Sequence, residues 1–335
     1  MQKLITEKCN IFESNGEVMQ AGYACSPVFK NNADKSSTYG KHSEYKSYFV
    51  SNDEVALYIL IENLPKTANV KIAVADLKRG GIISDFCTKH YFFVKNSYCF
   101  DNIKNDYVFE DEKIQLRIMS TSDGIYIKCD FIDFNGSKNL YVNLNLSPIN
   151  SDGLYQLAPF ERNRRYFYYK QFEPKYSANG VIHVGGIEYK IEDGSTNAYV
   201  DTMRFSKPRP HNYQRLSACT KIGDINFALC LASRVGDNRY GNENCFFIDG
   251  KLEKLYQINV KGTSGRLDRP WYFSAGISAV DITFKPFTIK KEPFCAVMDK
   301  TTIIFGRLYG ELKRVDYEMP FVLDNALAHM IFAEI

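Results

Sequence analysis

Two carboxylates have the surroundings that acid/base chemistry needs. Glu243 lies between two carboxamides in Asn242-Glu243-Asn244, and Asp201 precedes Arg204 in Tyr199-Val200-Asp201-Thr202-Met203-Arg204. A carboxylate beside a guanidinium stays ionised, whereas one walled by apolar groups has its pKa raised and can hold a proton. As catalytic residues, Asp201 and Glu243 would be an acid and a base facing each other across a cavity, protonating an alkene and guiding water or a proton away. Both have structural readings as well. Asp201 and Arg204 can form an ion pair that locks the loop before Pro208 and Pro210, if the segment is a turn; on a strand they would point to opposite faces. Glu243 can satisfy backbone groups at the mouth of a hairpin.

Lys170 ends the aromatic run Tyr166-Phe167-Tyr168-Tyr169-Lys170. On a surface strand it would lay its stem along the rings with its ammonium in water; buried beside Asp201 or Glu243 it would join their chemistry. Arg162, Arg164 and Arg165 just before it read as a solvated basic patch. The five histidines have no His-x-x-x-His spacing and no carboxylate neighbours in register, so no metal site is expected. The glycine pairs Gly80-Gly81 and Gly185-Gly186 are too isolated for a phosphate cradle, and no cofactor is called for.

These residues must be positioned by strands. Ile114, Leu116 and Ile118 alternate with Gln115, Arg117 and Met119, and Leu140, Val142, Leu144 and Leu146 repeat the pattern, as in half-buried strands. Asp249-Gly250 between two β-prone runs predicts a type I′ hairpin from Cys245–Ile248 to Leu252–Val260, since both turn residues need positive φ. That hairpin would put Phe246 and Ile248 on one face and Cys245 and Phe247 on the other. Short strands at even spacing indicate an all-β protein of barrels or sandwiches. Helix is expected only in short pieces, as at Asn325–Met330. The turn cluster Ser147–Gly153 suggests a boundary, giving β domains over 1–150 and 151–335.

Composition narrows the function classes. With 42 basic against 39 acidic residues and no basic run, nucleic-acid binding is not expected. No apolar run reaches membrane-spanning length, and the first residues lack a signal-peptide core. Nine scattered cysteines, never spaced Cys-x-x-Cys, argue against a disulfide framework and for a reduced, cytoplasmic protein.

Several pieces in order resemble an uncharacterised bacterial family, domain-of-unknown-function family 2804. They are Asn15-Gly16 with Gly22-Tyr23-Ala24, Glu44-Tyr45, Lys170 before Gly180, and Asp201-x-x-Arg204. Glu243-Asn244 with Asp249-Gly250-Lys251, Pro270-Trp271, Phe284-x-Pro286 and Phe305-Gly306-Arg307 complete the set. The sequence departs from the family pattern at Tyr45, where a Trp is usual, at Lys46, where an acid is common, and at Phe205, where a Gly usually follows the arginine. That family is similar to lipocalin-like (calycin), two-barrel proteins that include carotenoid hydratases and other cofactor-free hydratases and cyclases. The resemblance implies two lipocalin-like antiparallel β-barrel or sandwich domains enclosing a small, mostly hydrophobic molecule. The expected site has Asp201 and Glu243 as catalytic groups, with Arg204, Asn244, Lys170, Glu44 and Tyr45 binding the substrate. Hydratase, isomerase or cyclase chemistry and a non-catalytic carrier role both remain open at this point, and the sequence sets no oligomeric state.

Overall fold

A computed structural model describes residues 2–78, 81–91, 106–136, 138–160, 163–207, 212–233, 241–263, 265–276, 279–314 and 318–335. Gly80, Arg162, Pro208 and Pro210, named above, lie outside them. Strands dominate, the one helical turn described is a 3-10 turn at Ala33–Lys35, and the all-β class is as expected. Among the described residues no helix is long and apolar enough to cross a membrane. The chain divides into two units, one of residues 1–42, 151–172 and 203–335, the other of 43–150 and 173–202.

The second of these units is a curled antiparallel sheet. Its order starts Gly81–Tyr91, Thr67–Asp76, Val55–Asn63, Ser43–Ser51, then the first part of Asn197–Ser206 and the latter half of Asn163–Val184. Lys138–Pro148, Gly124–Asn135, Ile114–Thr121 and Tyr107–Glu110 complete it. Alternation decides which side is filled: Ile114, Leu116 and Ile118 are fully buried while Gln115, Arg117 and Met119 are exposed. These apolar positions join Val55, Leu57, Ile59, Ile127 and Leu144 in one core. Each such side chain withdrawn from water contributes about 1.5–3 kcal/mol. Tight turns are fixed locally, as at Asp111, whose carboxylate accepts the N–H groups of Lys113 and Ile114 at 2.8 and 2.9 Å.

The other unit holds a second curled antiparallel sheet. Its order is Lys251–Lys254, Cys245–Ile248, Ile225–Ser233, Asn212–Ile222, Phe321–Glu334, Thr301–Leu312, Val280–Pro286, Trp271–Ala275 and Asn259–Lys261. One face carries Leu216, Leu229, Phe246, Ile282, Ile304 and Met330 into a single core. A separate hairpin pairs Leu154–Phe160 with the first half of Asn163–Val184, and Gly22–Ala24 adds to its edge.

Asp249 and Gly250 have φ of 47° and 76°, as the hairpin requires, and Phe246 and Ile248 face the core. Asp249 also accepts the Asn226 N–H at 3.0 Å, which braces the turn. The second strand of the hairpin is shorter than expected: it ends at Lys254, and pairing resumes only at Asn259. Asn325–Met330 is strand rather than helix. Ala326, Ala328 and Met330 alternate inward, and Asn325, at φ 62°, takes up a bulge opposite Tyr309.

Candidate active site

Behind the core-facing side of the second sheet lies a buried polar row. Leu216 turns inward, so its neighbours Arg215 and Ser217 turn outward together with Tyr213. Strand register continues the row sideways: Ser217 sits opposite Cys230 and, on its other side, opposite His329, and Cys230 sits opposite Cys245. In most proteins such a face would meet water. Here every one of these residues is buried. The hairpin supplies the facing groups: Tyr168 and Lys170 share one face, and Gln156 lies directly opposite Lys170 in the pairing.

Glu243 stands where the two layers meet and is 1% exposed. The hydroxyl of Tyr168 donates to Oε1, and the hydroxyl of Tyr213 donates to Oε2 at 3.1 Å. The Cys230 thiol lies 3.6 Å from Oε2, and Lys170 Nζ forms an ion pair with the same oxygen at 3.4 Å. Burial alone would raise the carboxyl pKa. The charges of Lys170 and Arg215, with the two tyrosine hydroxyls, outweigh it and hold Glu243 below its ordinary value.

The partners shift the other way. Burial, then the Arg215 charge, brings Lys170 down to about 8 against the pull of Glu243. Tyr168, Tyr213 and Cys230 are pushed well up, first by burial and then by the Glu243 charge. His329 falls to about 3 through burial and Arg215, so it is neutral near neutral pH. The arrangement is therefore an ionised carboxylate ringed by protonated hydroxyls, a thiol and an ammonium whose proton can be given up near neutrality.

The loop that carries Glu243 is clamped on both sides. Lys254 Nζ donates to Asn242 Oδ1 and to the Asn244 carbonyl, both at 2.8 Å. Asn244 Oδ1 accepts the Ala232 N–H at 2.8 Å, and its amide donates to the Tyr256 carbonyl at 3.1 Å. Asn244 thus uses both ends of its side chain to fix the loop.

Of the residues singled out in the sequence, Lys170, Glu243 and Asn244 fall in this neighbourhood. Arg204 belongs to the same unit but hydrogen-bonds elsewhere, to Asn31 Oδ1 at 2.8 Å and His42 Nδ1 at 3.3 Å. Asp201, Glu44 and Tyr45 belong to the other unit, where Asp201 is buried and Glu44 accepts from Asn63 at 3.4 Å. Asp201 and Arg204 lie on one strand with odd spacing, so they project to opposite faces.

Sequence reasoning missed Tyr213, Arg215, Cys230, Gln156 and His329, and it did not separate Tyr168 from its aromatic run. The available signal was the alternation Tyr213-x-Arg215-x-Ser217 against Leu216 and Ala218, with nothing in it to mark the polar side as buried. Among the described residues no three His, Cys, Asp or Glu side chains converge as a metal-binding group. Cys9, Cys25, Cys129, Cys219, Cys230, Cys245 and Cys295 are free thiols.

Fold and site together define a curled antiparallel β protein with a buried, ionised carboxylate among proton-bearing neighbours. The chain belongs to the family described as Domain of unknown function (DUF2804), whose pattern matches residues 2–328. Among solved structures it is similar to a candidate AttH from Nitrosomonas europaea, with a TM-score of 0.52 and 11% identity over 87% of this chain and 91% of that one. Kievitone hydratase from Nectria haematococca is similar at a TM-score of 0.53 and 10% identity, over 97% of this chain and 98% of that one. At such identities the likeness is one of fold. A search of curated proteins finds no match.

Proposed function

We propose that this protein binds a small, mostly apolar molecule and adds water to it, with Glu243 as the base. The observation that carries this reading is the contact set of Glu243: two tyrosine hydroxyls, a thiol and a lysine ammonium around one buried carboxylate. Kievitone hydratase, a protein of similar fold, is named for a reaction of this class.

The strength of the available acids selects the substrate. A tyrosine hydroxyl or a lysine of pKa about 8 is far too weak to protonate an isolated alkene. Either can stabilise an enolate oxygen as charge develops on it. The double bond is therefore one conjugated to a carbonyl. Glu243 takes a proton from water as the hydroxyl oxygen bonds to the β-carbon. The double-bond electrons shift through the conjugated system onto the carbonyl oxygen, which accepts a hydrogen bond from Lys170. Return of the proton from Glu243 to the α-carbon then gives the β-hydroxy ketone and restores the ionised carboxylate. In this scheme Tyr213 and Arg215 keep Glu243 ionised, and Lys254 holds its loop. Asp201, Arg204, Glu44 and Tyr45 have no step in it.

The test is incubation of the protein with benzylideneacetone in ¹⁸O-labelled water, read by mass spectrometry. The expected product is 4-hydroxy-4-phenylbutan-2-one with one labelled oxygen on the β-carbon. Saturable binding of the enone with no labelled product would support a carrier role instead and reject hydration.

A further inference from the structure

A cleft of about 750 Å³ opens at one end of the sheet that begins with Lys251–Lys254, within the larger unit. Ile258, Val260, Leu267, Trp271 and Phe332 line it, and Gln214, Gln257 and Asn259 add carboxamides. Its volume is that of pockets which take small organic ligands. We infer that this cleft is a second binding site, separate from the Glu243 cluster, for an uncharged ring compound carrying a carbonyl or hydroxyl oxygen.

Three features carry the inference. Lys261 is the one ionisable side chain among the described lining residues, so a charged ligand would lose its hydration with little to replace it. Aromatic and branched side chains instead offer a ring ligand apolar surface, and the carboxamides match oxygens on its edge. Trp271 is the third feature. Its ring packs 5.3 Å from that of Phe332, and Gly262 lies so close to the indole that a Cβ there would come within 2.1 Å of it. The indole is thus held from two sides, and Trp271 is 6% exposed. Its N–H nevertheless has no hydrogen-bond partner among the described residues. That nitrogen is shielded from solvent, so a ligand oxygen reaches it by a small shift of the indole against Phe332, and then gains a hydrogen bond without breaking another. Glu243 is not among the lining residues, whereas Asn244, which fixes the Glu243 loop, is.

The chain contains a single tryptophan, so the indole N–H gives one resonance in a ¹⁵N-correlated NMR spectrum and reports on this cleft alone. Titration with xanthone should move that resonance saturably and downfield. Xanthene, which has a methylene in place of the carbonyl, should bind about 3- to 10-fold more weakly, the worth of one hydrogen bond. Val260→Lys, at a half-exposed position, should abolish the xanthone shift with the rest of the spectrum preserved. Glu243→Gln should leave the titration unchanged, which separates this site from the proposed hydration chemistry. No saturable movement with xanthone up to its solubility limit would overturn the inference, as would equal affinity for xanthone and xanthene.

Discussion

Two buried carboxylates, one in each unit, differ in how their partners are assembled. Glu62 accepts from Lys71 Nζ and Asn69 Nδ2, both at 2.7 Å. All three residues sit on one pair of adjacent strands, with Asn69 directly opposite Glu62 and Lys71 two positions further along. Glu243 takes its partners from the hairpin strand that carries Tyr168 and Lys170, from the strand of Tyr213 and from that of Cys230. The Glu62 pair is a short-range ion pair built into a meander. Glu243 instead gathers groups that each hold a transferable proton. On the proposed function, burial of a carboxylate is not what marks a site; the variety of proton-bearing groups gathered around it is.

The largest expected effect is on the local pair. Lys71→Met leaves the Glu62 charge buried without its ammonium, and should cost about 3–5 kcal/mol in urea unfolding. Adding Glu62→Gln to that variant should recover most of the loss, because the stranded charge goes with it. A loss that the double variant fails to recover would place the cost in packing rather than charge.

Acid should weaken the larger unit next. His42 and His329 are both lowered to about 3 from an ordinary 6.5, chiefly by burial. Between those values the unfolded chain binds the protons that the folded chain refuses, so stability falls as pH drops from 6.5 toward 3. Each histidine contributes at most about 1.4 kcal/mol per pH unit. His329→Gln should flatten the slope of stability against pH by one histidine's share. Lys170, lowered to about 8, acts in another window: its buried charge costs stability below pH 8, and that cost disappears as pH rises from 8 toward 10.5. Lys170→Met should remove that alkaline gain.

A smaller effect is expected at the rim of the Glu243 cluster. Tyr213→Phe deletes one hydrogen bond to an ionised group and should cost about 1.5–3 kcal/mol in thermal or urea unfolding. The same change should raise the Glu243 pKa and move the acid limb of any rate profile toward neutrality. Tyr45→Phe beside Glu62 should leave that limb in place.

The contrast also explains what the sequence could reveal. Strand positions such as Ile114, Leu116 and Ile118 were legible because alternation is a local property, and Asp249-Gly250 was legible because positive φ is a demand on residue type. Lys170 and Glu243 stood out by composition. Tyr213, Arg215 and Ser217 did not, since a polar strand face looks the same whether it meets water or another layer. What decides it here is the hairpin bearing Tyr168 and Lys170, more than forty residues earlier. Likewise, the turn cluster near Asn150 marks one of the places where the chain passes between units. The passages at 172/173 and 202/203 fall inside continuous strands, where no turn residue announces them.

The most direct measurement compares hydration of benzylideneacetone in ¹⁸O-labelled water by Glu243→Gln and by Glu62→Gln, each verified as folded by its thermal transition. The account predicts that Glu243→Gln loses about 10²- to 10⁴-fold in rate, the usual worth of a general base, while Glu62→Gln retains the rate of the parent protein. Equal rates in the two variants would contradict it.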